Sequence, residues 1–203
     1  MIELLVATTN RAKFAEIQSF LKNLPISLRS LQSLEQWPTV IEDGATFEEN
    51  ALKKARTMAR YSGCLTLADD SGLEVDALHG APGIYSARYS GEEGNDDKNN
   101  EKLLKELRDI PEAKRTARFV CALALCAPNG QEWLIRKSCE GRIALARKGE
   151  HGFGYDPIFF FPPFDKTFGE IDRETKATVS HRGKALKKLA KVLPSLVDLT
   201  AKP

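Results

Sequence analysis

The spacing of apolar residues predicts strands and helices that alternate through the first part of the chain. An apolar strand is expected over residues 2–7 and a helix over residues 12–24, because apolar side chains there recur at helical spacing. Asn10 suits the N-cap of this helix, and Pro25 ends it. A second strand over residues 26–31 gives the segment a strand–helix–strand order.

The rest of the pattern predicts further helices and a long hairpin. Thr46 with Glu49 three residues later is typical of a capping box, which begins a helix that runs to about residue 61. The hairpin pairs residues 115–127 with 132–146 around Asn129-Gly130. The other expected elements are strands over 65–68, 73–78 and 157–161 and helices over 99–108 and 183–193. This order favours a mixed sheet of the α/β or α+β class.

Composition and charge exclude several classes of function. The chain has 203 residues, of which 42% are hydrophobic and 29% charged, and its formal net charge is +2. So small a net charge gives no global drive toward nucleic acid or an acidic membrane, and any phosphate site must be local. The four cysteines form no CxxC pair, and no apolar run spans a bilayer. We therefore expect reduced thiols in a cytoplasmic protein with no membrane and no nucleic-acid partner.

Two adjacent carboxylates, Asp69 and Asp70, stand at the end of an apolar strand. Carboxylates are seldom buried unless a cation compensates them, and Mg²⁺ on a phosphorylated substrate takes only one or two from the protein. Neighbouring strand residues face opposite ways, so at most one of the pair faces a shared site while the strand continues. A second acidic pair, Glu42 and Asp43, offers another ligand, and Glu42 with Asp70 meets the need. The alternative is a turn that Asp69 or Asp70 caps together with Ser71.

The loop between the first strand and the first helix is a candidate phosphate site. It reads Thr8-Thr9-Asn10-Arg11-Ala12-Lys13. A helix N-terminus offers unpaired N–H groups to an anion, and this loop adds hydroxyl groups and basic side chains. It lacks the glycines of a Walker A loop. An ordinary capped helix with solvated basic residues remains the alternative.

Two further motifs combine flexible backbone, aromatic rings and planar donors. They are Phe153-Gly154-Tyr155-Asp156 and His181-Arg182. Glycine allows a close approach to a ligand, an aromatic face suits stacking, and an arginine fork reads carbonyls or phosphates. The alternatives are a tight turn with aromatic rings in the core and a structural histidine.

Together these motifs resemble the Ham1/inosine triphosphatase family. The matching segments, in family order, are residues 7–10 with Lys13, 43–51, 68–73, 80–89, 153–157, and Lys176 with 180–183. The occurrence of all these segments in one order is far more specific to the family than any one segment alone. The departures are small: Thr9 and His79 stand where many members have glycine, and residues 161–165 are bulkier than usual.

The resemblance implies an elongated α/β fold, with a mixed β-sheet, flanking helices and two lobes around a central active-site cleft. It implies one domain over residues 1–203, a homodimer, and Mg²⁺-dependent hydrolysis of ITP, dITP and XTP to the monophosphate and pyrophosphate, which cleanses the nucleotide pool. Asp70 would be the proton acceptor and a metal ligand, with Glu42 the other ligand. The implied substrate contacts are Thr8, Thr9, Asn10, Arg11, Ala12, Lys13, Ser71, Phe153, Gly154, Tyr155, Asp156, Lys176, His181 and Arg182.

Selectivity for the base follows from donor and acceptor matching. Hypoxanthine and xanthine carry a 6-oxo acceptor where adenine carries an amino donor, and donors from His181, Arg182 or a backbone amide fit the oxo group. Guanine shares the 6-oxo group, so its exclusion must come from its 2-amino group. Two other functions stay open: a less selective, Maf-like pyrophosphatase that acts on modified pyrimidines, and a nucleotide- or RNA-binding module without catalysis.

Overall fold

A seven-stranded sheet with helices is the framework of the chain. The computed structural model describes the backbone of residues 2–92 and 94–200 and the side chains of residues 3–92 and 94–196. The strands are β1 (Ile2–Val6), β2 (Ile26–Ser30), β3 (Leu65–Val75), β4 (Thr116–Cys126), β5 (Glu132–Ile143), β6 (Phe159–Phe161) and β7 (Lys166–Thr167). The helices are α1 (Arg11–Leu21), α2 (Phe47–Ser62), α3 (Asp96–Glu106), α4 (Arg173–Val179) and α5 (His181–Thr200).

The sheet is mixed, with strand order β2-β1-β3-β4-β5-β6-β7. β1 pairs in parallel with both β2 and β3, whereas β6 pairs antiparallel with β5 and β7. The predicted α/β class with a mixed sheet and flanking helices is therefore confirmed. The chain divides into two compact units, of which the first runs to Asp70 and includes residues 121–137 and α5 from Gly183 on. The second unit comprises Ser71–Val120 and Ser138–Arg182.

The first unit has an aliphatic core that fixes the ends of β1 and β3. Leu4 and Val6 of β1 pack with Leu65 and Leu67 of β3, and leucines of α1, β4 and α5 complete the cluster. Each fully buried leucine contributes on the order of 1.5–3 kcal/mol to stability. Val6 lies opposite Leu67 in the parallel register. The segments that follow these two positions therefore emerge at the same edge of the sheet, and they are the loop before α1 and the acidic pair.

The second unit has an aromatic core. The rings of Phe119 and Phe159 are 4.5 Å apart between centroids, and those of Phe159 and Phe168 are 5.0 Å apart. Tilted pairs at these distances add to the stability that burial alone provides. This cluster, with Ile143 and Ile158, backs the Phe153–Asp156 motif.

The structure corrects several predicted boundaries. Residues 65–68 and 73–78 were expected as two strands, but β3 is continuous over Leu65–Val75, so the alternative of a turn at Asp69 or Asp70 is wrong. The last helix begins at His181 rather than Gly183, and α4 and β7 were not predicted. Polar residues over 69–72 resemble a turn in sequence, yet here pairing in the sheet overrides that local preference.

Cys64, Cys121, Cys126 and Cys139 are all thiols outside disulfides, as the sequence led us to expect. Over the described residues, none of the helices combines the length and the apolar character that crossing a bilayer requires.

Candidate active site

The loop before α1 is a capped helix start with one inward-reaching lysine. Asn10 is the N-cap, and its Oδ1 accepts a hydrogen bond from the Lys13 amide at 3.0 Å. Thr8 Oγ1 in turn accepts from the Asn10 amide at 3.2 Å. Thr9, Arg11 and the cap itself are exposed, whereas the Lys13 ammonium lies 2.6 Å from Asp69 Oδ1. The loop thus presents a helix N-terminus and a fixed cation together.

Asp69 and Asp70 engage different lysines, as alternation along a strand requires. The Asp69 side chain is fully buried, pairs with Lys13, and has Cys121 Sγ 3.3 Å from its Oδ2. The Asp70 carboxylate is also buried, and its Oδ1 lies 3.4 Å from Lys54 Nζ. Its Oδ2 is buried and has no hydrogen-bond partner among the described residues. One carboxylate is therefore committed to Lys13, while the other keeps an open acceptor.

Lys54, on α2, connects the two acidic segments. Its ammonium donates to Glu42 Oε2 at 2.8 Å and to the Asp69 carbonyl at 2.9 Å, and it faces Asp70. The neighbouring Lys53 instead pairs with the exposed Asp43 at 2.5 Å. Of the acidic pair before α2, Glu42 is therefore the residue that shares a cation with Asp70.

The environment of Asp70 is that of a base poised near neutrality. Burial raises the pKa of Asp70 to about 6, against the opposing effect of Lys54 and Lys13, while Glu42 and Asp69 add to the rise. For Lys54, burial acts to lower the pKa, but the carboxylates of Asp70 and Glu42 outweigh it and the pKa is raised. The lysine therefore stays charged while Asp70 exchanges its proton near pH 6.

The donor set fits a divalent cation that is also held by a phosphorylated substrate. No group of three or more His, Cys, Asp or Glu side chains arranged for a metal occurs within the described part of the chain. Mg²⁺ in nucleotide sites characteristically uses one or two carboxylates and takes its other ligands from phosphate and water. Glu42 and Asp70 supply two carboxylates, and the buried Oδ2 of Asp70 is an acceptor that such a cation would satisfy.

A second group of candidate residues assembles around the Phe153 ring in the second unit. Asp156 Oδ2 accepts from the Phe153 amide at 2.8 Å and pairs with Lys176 Nζ at 2.5 Å. The Lys176 ammonium is 5.0 Å from the centroid of the Phe153 ring, and the Arg182 guanidinium carbon is 5.5 Å from it. Two cations near one ring and a buried ion pair form a polar, aromatic surface suited to a planar, electron-rich ligand.

His181 and Tyr155 support this group from the aromatic core. The His181 ring stacks on Phe119, with centroids 4.7 Å apart and planes 15° apart. Tyr155 is buried, and its hydroxyl donates to the Ser86 carbonyl at 2.8 Å. Ser71 is half-buried in β3, directly after Asp70. His181 and Tyr155 thus both pack in the core, and this packing is compatible with a role in binding.

The candidate residues therefore form two groups, one in each unit. The first contains the loop before α1, Glu42 and Asp70, and the second contains Phe153–Asp156, Lys176, His181 and Arg182. Sequence reasoning missed Lys54, the commitment of Asp69 to Lys13, and Phe119. Lys54 had a signal, because it lies one turn after the buried Asn50 on the inward face of α2, where a lysine is unusual.

Comparison with known proteins identifies the relatives of this chain. The Ham1 family model matches residues 4–192. A dITP/XTP pyrophosphatase from Desulforamulus reducens is 49% identical over 195 residues, which cover 96% of this chain and 97% of that protein. One from Geobacter sulfurreducens is 51% identical over 186 residues, covering 92% of this chain and 94% of that protein.

Solved structures lead to the same relatives. A HAM1 protein from Coxiella burnetii superposes with a TM-score of 0.89 at 40% identity, over 96% of this chain and 100% of that one. The Staphylococcus aureus Ham1 protein gives 0.87 at 39% identity, over 96% of this chain and 99% of its own. These relatives confirm the resemblance and the prediction of an enzyme. The chain belongs to the Ham1 family.

Proposed function

We propose that the chain is a Mg²⁺-dependent hydrolase that converts ITP, dITP and XTP to the monophosphate and pyrophosphate and so cleanses the nucleotide pool. The relatives named dITP/XTP pyrophosphatase support the substrate class. The observation that carries the proposal is the Glu42–Lys54–Asp70 cluster. It brings two carboxylates together around one lysine, and Oδ2 of Asp70 is buried without a hydrogen-bond partner among the described residues.

The residues of the first unit divide the chemistry between them. Glu42 and Asp70 would hold the metal, which when bound supplies positive charge that neutralises the phosphates. Asp70 also accepts the proton of the water that attacks the α-phosphorus, and a pKa of about 6 keeps Asp70 mostly ionised at neutral pH. Lys13 and the first amides of α1 bind the departing pyrophosphate. Lys54 holds the two carboxylates at a common point through its hydrogen bonds.

The residues of the second unit recognise the base. The Phe153 ring offers a stacking face, and Arg182, His181 or the backbone of residues 153–156 donates a hydrogen bond to the 6-oxo group. Adenine would present an amino donor to the same donors, and such a buried mismatch costs roughly 1–3 kcal/mol for each unpaired group. Ser71, Lys176 and Asp156 complete the proposed contacts.

The test is release of pyrophosphate from a panel of ITP, XTP, dITP, GTP, ATP, dTTP and UTP, with and without Mg²⁺. We expect fast release from the first three nucleotides, slow release from the others, and none after chelation of the metal. Equal rates across the purines would refute recognition of the base, and preference for a pyrimidine would favour the Maf-like alternative. Tight binding without release would favour a binding module.

Three further expectations remain proposals. We propose that residues 1–203 act as one catalytic domain, that the chain forms a homodimer, and that it works in the cytoplasm, where its four thiols stay reduced. Light scattering coupled to size exclusion tests the dimer directly: a monomer at micromolar concentration would refute it.

A further inference from the structure

Gly154 is held at both its amide and its carbonyl by one turn of α3. Asp96 Oδ2 accepts a hydrogen bond from the Gly154 amide at 2.6 Å. Asn100 Nδ2 donates to the Gly154 carbonyl at 2.9 Å. Residues four apart lie on the same face of a helix, so both side chains reach Gly154. Asp96 holds the peptide group before it, and Asn100 holds the peptide group after it. Together they fix the two peptide groups that join Phe153, Gly154 and Tyr155.

Neither side chain is needed to cap the helix that carries it. Asn95 is the N-cap of α3, and its side chain accepts from the Lys98 amide at 3.1 Å. Asn100 is fully buried, and its Oδ1 has no hydrogen-bond partner among the described residues. A buried amide whose oxygen accepts no hydrogen bond stabilises the fold less than an apolar side chain that fills the same space. Its donors, which bind Gly154 and the Asp96 carbonyl, account for its presence.

Gly154 needs such support because its backbone is in the left-handed region, with a φ of 63°. Glycine restricts the chain least, so an unsupported peptide here would sample several orientations. Other hydrogen bonds hold the flanking residues, since the Phe153 amide donates to Asp156 and the Tyr155 hydroxyl donates to the Ser86 carbonyl. Among the described hydrogen bonds, the amide and the carbonyl of Gly154 itself engage only α3, and these bonds span more than fifty residues of sequence.

We propose that Asp96 and Asn100 are positioning residues that set selectivity for the base by fixing the two peptide groups at Gly154. The inference rests on the proposed function, in which residues 153–156 read the purine. The amides of Phe153, Gly154 and Asp156 already donate within the protein. With both peptide groups fixed, the Phe153 face and the Tyr155 amide, which belongs to the group that Asn100 holds, meet a 6-oxo purine in one geometry. With these groups loose, that amide rotates away and an amino group is tolerated.

The test measures the ratio of kcat/KM for ITP to that for ATP in Asp96→Ala and Asn100→Leu. We expect the ratio to fall roughly five- to tenfold in each, about the worth of one positioning hydrogen bond. Asp96→Asn keeps an acceptor and should recover most of the ratio. Asp97→Ala is the matched control, because Asp97 is exposed on the same helix turn and pairs with Arg147 instead. Its ratio should equal that of the wild type.

A second readout separates positioning from a loss of folded protein. Inhibition by IMP should weaken in Asp96→Ala, whereas inhibition by pyrophosphate, which carries no base, should be unchanged. If both variants lose ITP and ATP turnover equally and keep the ratio, their role is structural and the inference is overturned. If the wild type itself does not prefer ITP to ATP, the proposed function fails first, and the variants are not the cause.

Discussion

Asp70 carries a conflict between stability and chemistry within a single side chain. Burial holds its pKa at about 6, above the ordinary value of 3.8, so the folded chain binds this proton more tightly than the unfolded chain does, although catalysis needs the ionised form. The ionised form is useful because it accepts a proton, and Lys54 and Lys13 offset only part of its desolvation. An ionised side chain that burial destabilises in the free protein is typical of an active site.

This conflict predicts that metal-free Asp70→Asn is more stable than the wild type at high pH. A carboxyl whose folded pKa is raised binds more protons folded than unfolded, so its contribution to stability falls as pH rises from 4 through 6. A shift from 3.8 to about 6 corresponds to roughly 3 kcal/mol at most at pH 8, and about half of that at pH 5. Urea denaturation in the presence of a chelator at both pH values measures the difference.

The control for this prediction is Asp43→Asn. Asp43 is exposed, and its hydrogen bond and charge interaction with Lys53 lower its pKa, so its neutral analogue should stabilise nothing. If Asp70→Asn proves less stable than the wild type at pH 8, the carboxylate is better compensated than its burial suggests.

Adjacent lysines on α2 provide a second comparison at the level of single residues. Lys54 lies between Glu42 and Asp70, whereas Lys53 pairs at the surface with Asp43. We expect Lys54→Met to lower kcat for ITP by on the order of a hundredfold or more. The two carboxylates lose their common donor, and the population of protonated Asp70 increases. Lys53→Met should retain nearly full activity. Similar losses in the two variants, measured at saturating Mg²⁺, would show that only overall charge matters.

Among the elements, the loop before Asp156 places a strict demand on glycine. Gly152 has a φ of 81°, and an added Cβ would overlap Asp156 Oδ2, whereas Gly154 has a φ of 63° with open space around the same position. Gly152→Ala should therefore displace Asp156 from Lys176 and the Phe153 amide, with a loss of about 2 kcal/mol or more in stability and a higher KM for ITP.

Gly154→Ala gives the matched comparison. It has the backbone strain of a left-handed residue, worth about 1 kcal/mol, without the collision. Thermal unfolding and KM for ITP should therefore change less in Gly154→Ala than in Gly152→Ala. The reverse order would mean that Asp156 yields easily and does not hold the loop.

The elements also show where sequence reasoning succeeds and where it fails. The first helix, its Asn10 cap and the strand–helix–strand order at the start were predicted correctly, because local periodicity and capping decide them. The continuity of β3 through Asp69–Gly72 was not predicted, because its pairing with the neighbouring strands, rather than the residues themselves, keeps that segment extended. The pairing of Lys54 with Asp70 joins residues sixteen apart through the fold, which spacing alone does not reveal.

At the scale of the whole molecule, the fold was predictable chiefly because the motifs occur in family order along almost the whole chain. The family model covers residues 4–192, and the HAM1 protein from Coxiella burnetii aligns over 96% of the chain. Each motif alone had an ordinary structural explanation. Their combination gave the family, while the partners of each side chain needed the structure.

The central claim is that water, activated at Asp70, attacks the α-phosphorus of ITP. Hydrolysis of ITP with Mg²⁺ in ¹⁸O-water, followed by mass spectrometry of the products, tests it most directly. The account predicts label in IMP, unlabelled pyrophosphate, and no product above background with Asp70→Asn, whose retained fold is checked by circular dichroism. Label in pyrophosphate, formation of IDP and phosphate, or near-normal turnover by Asp70→Asn would contradict it.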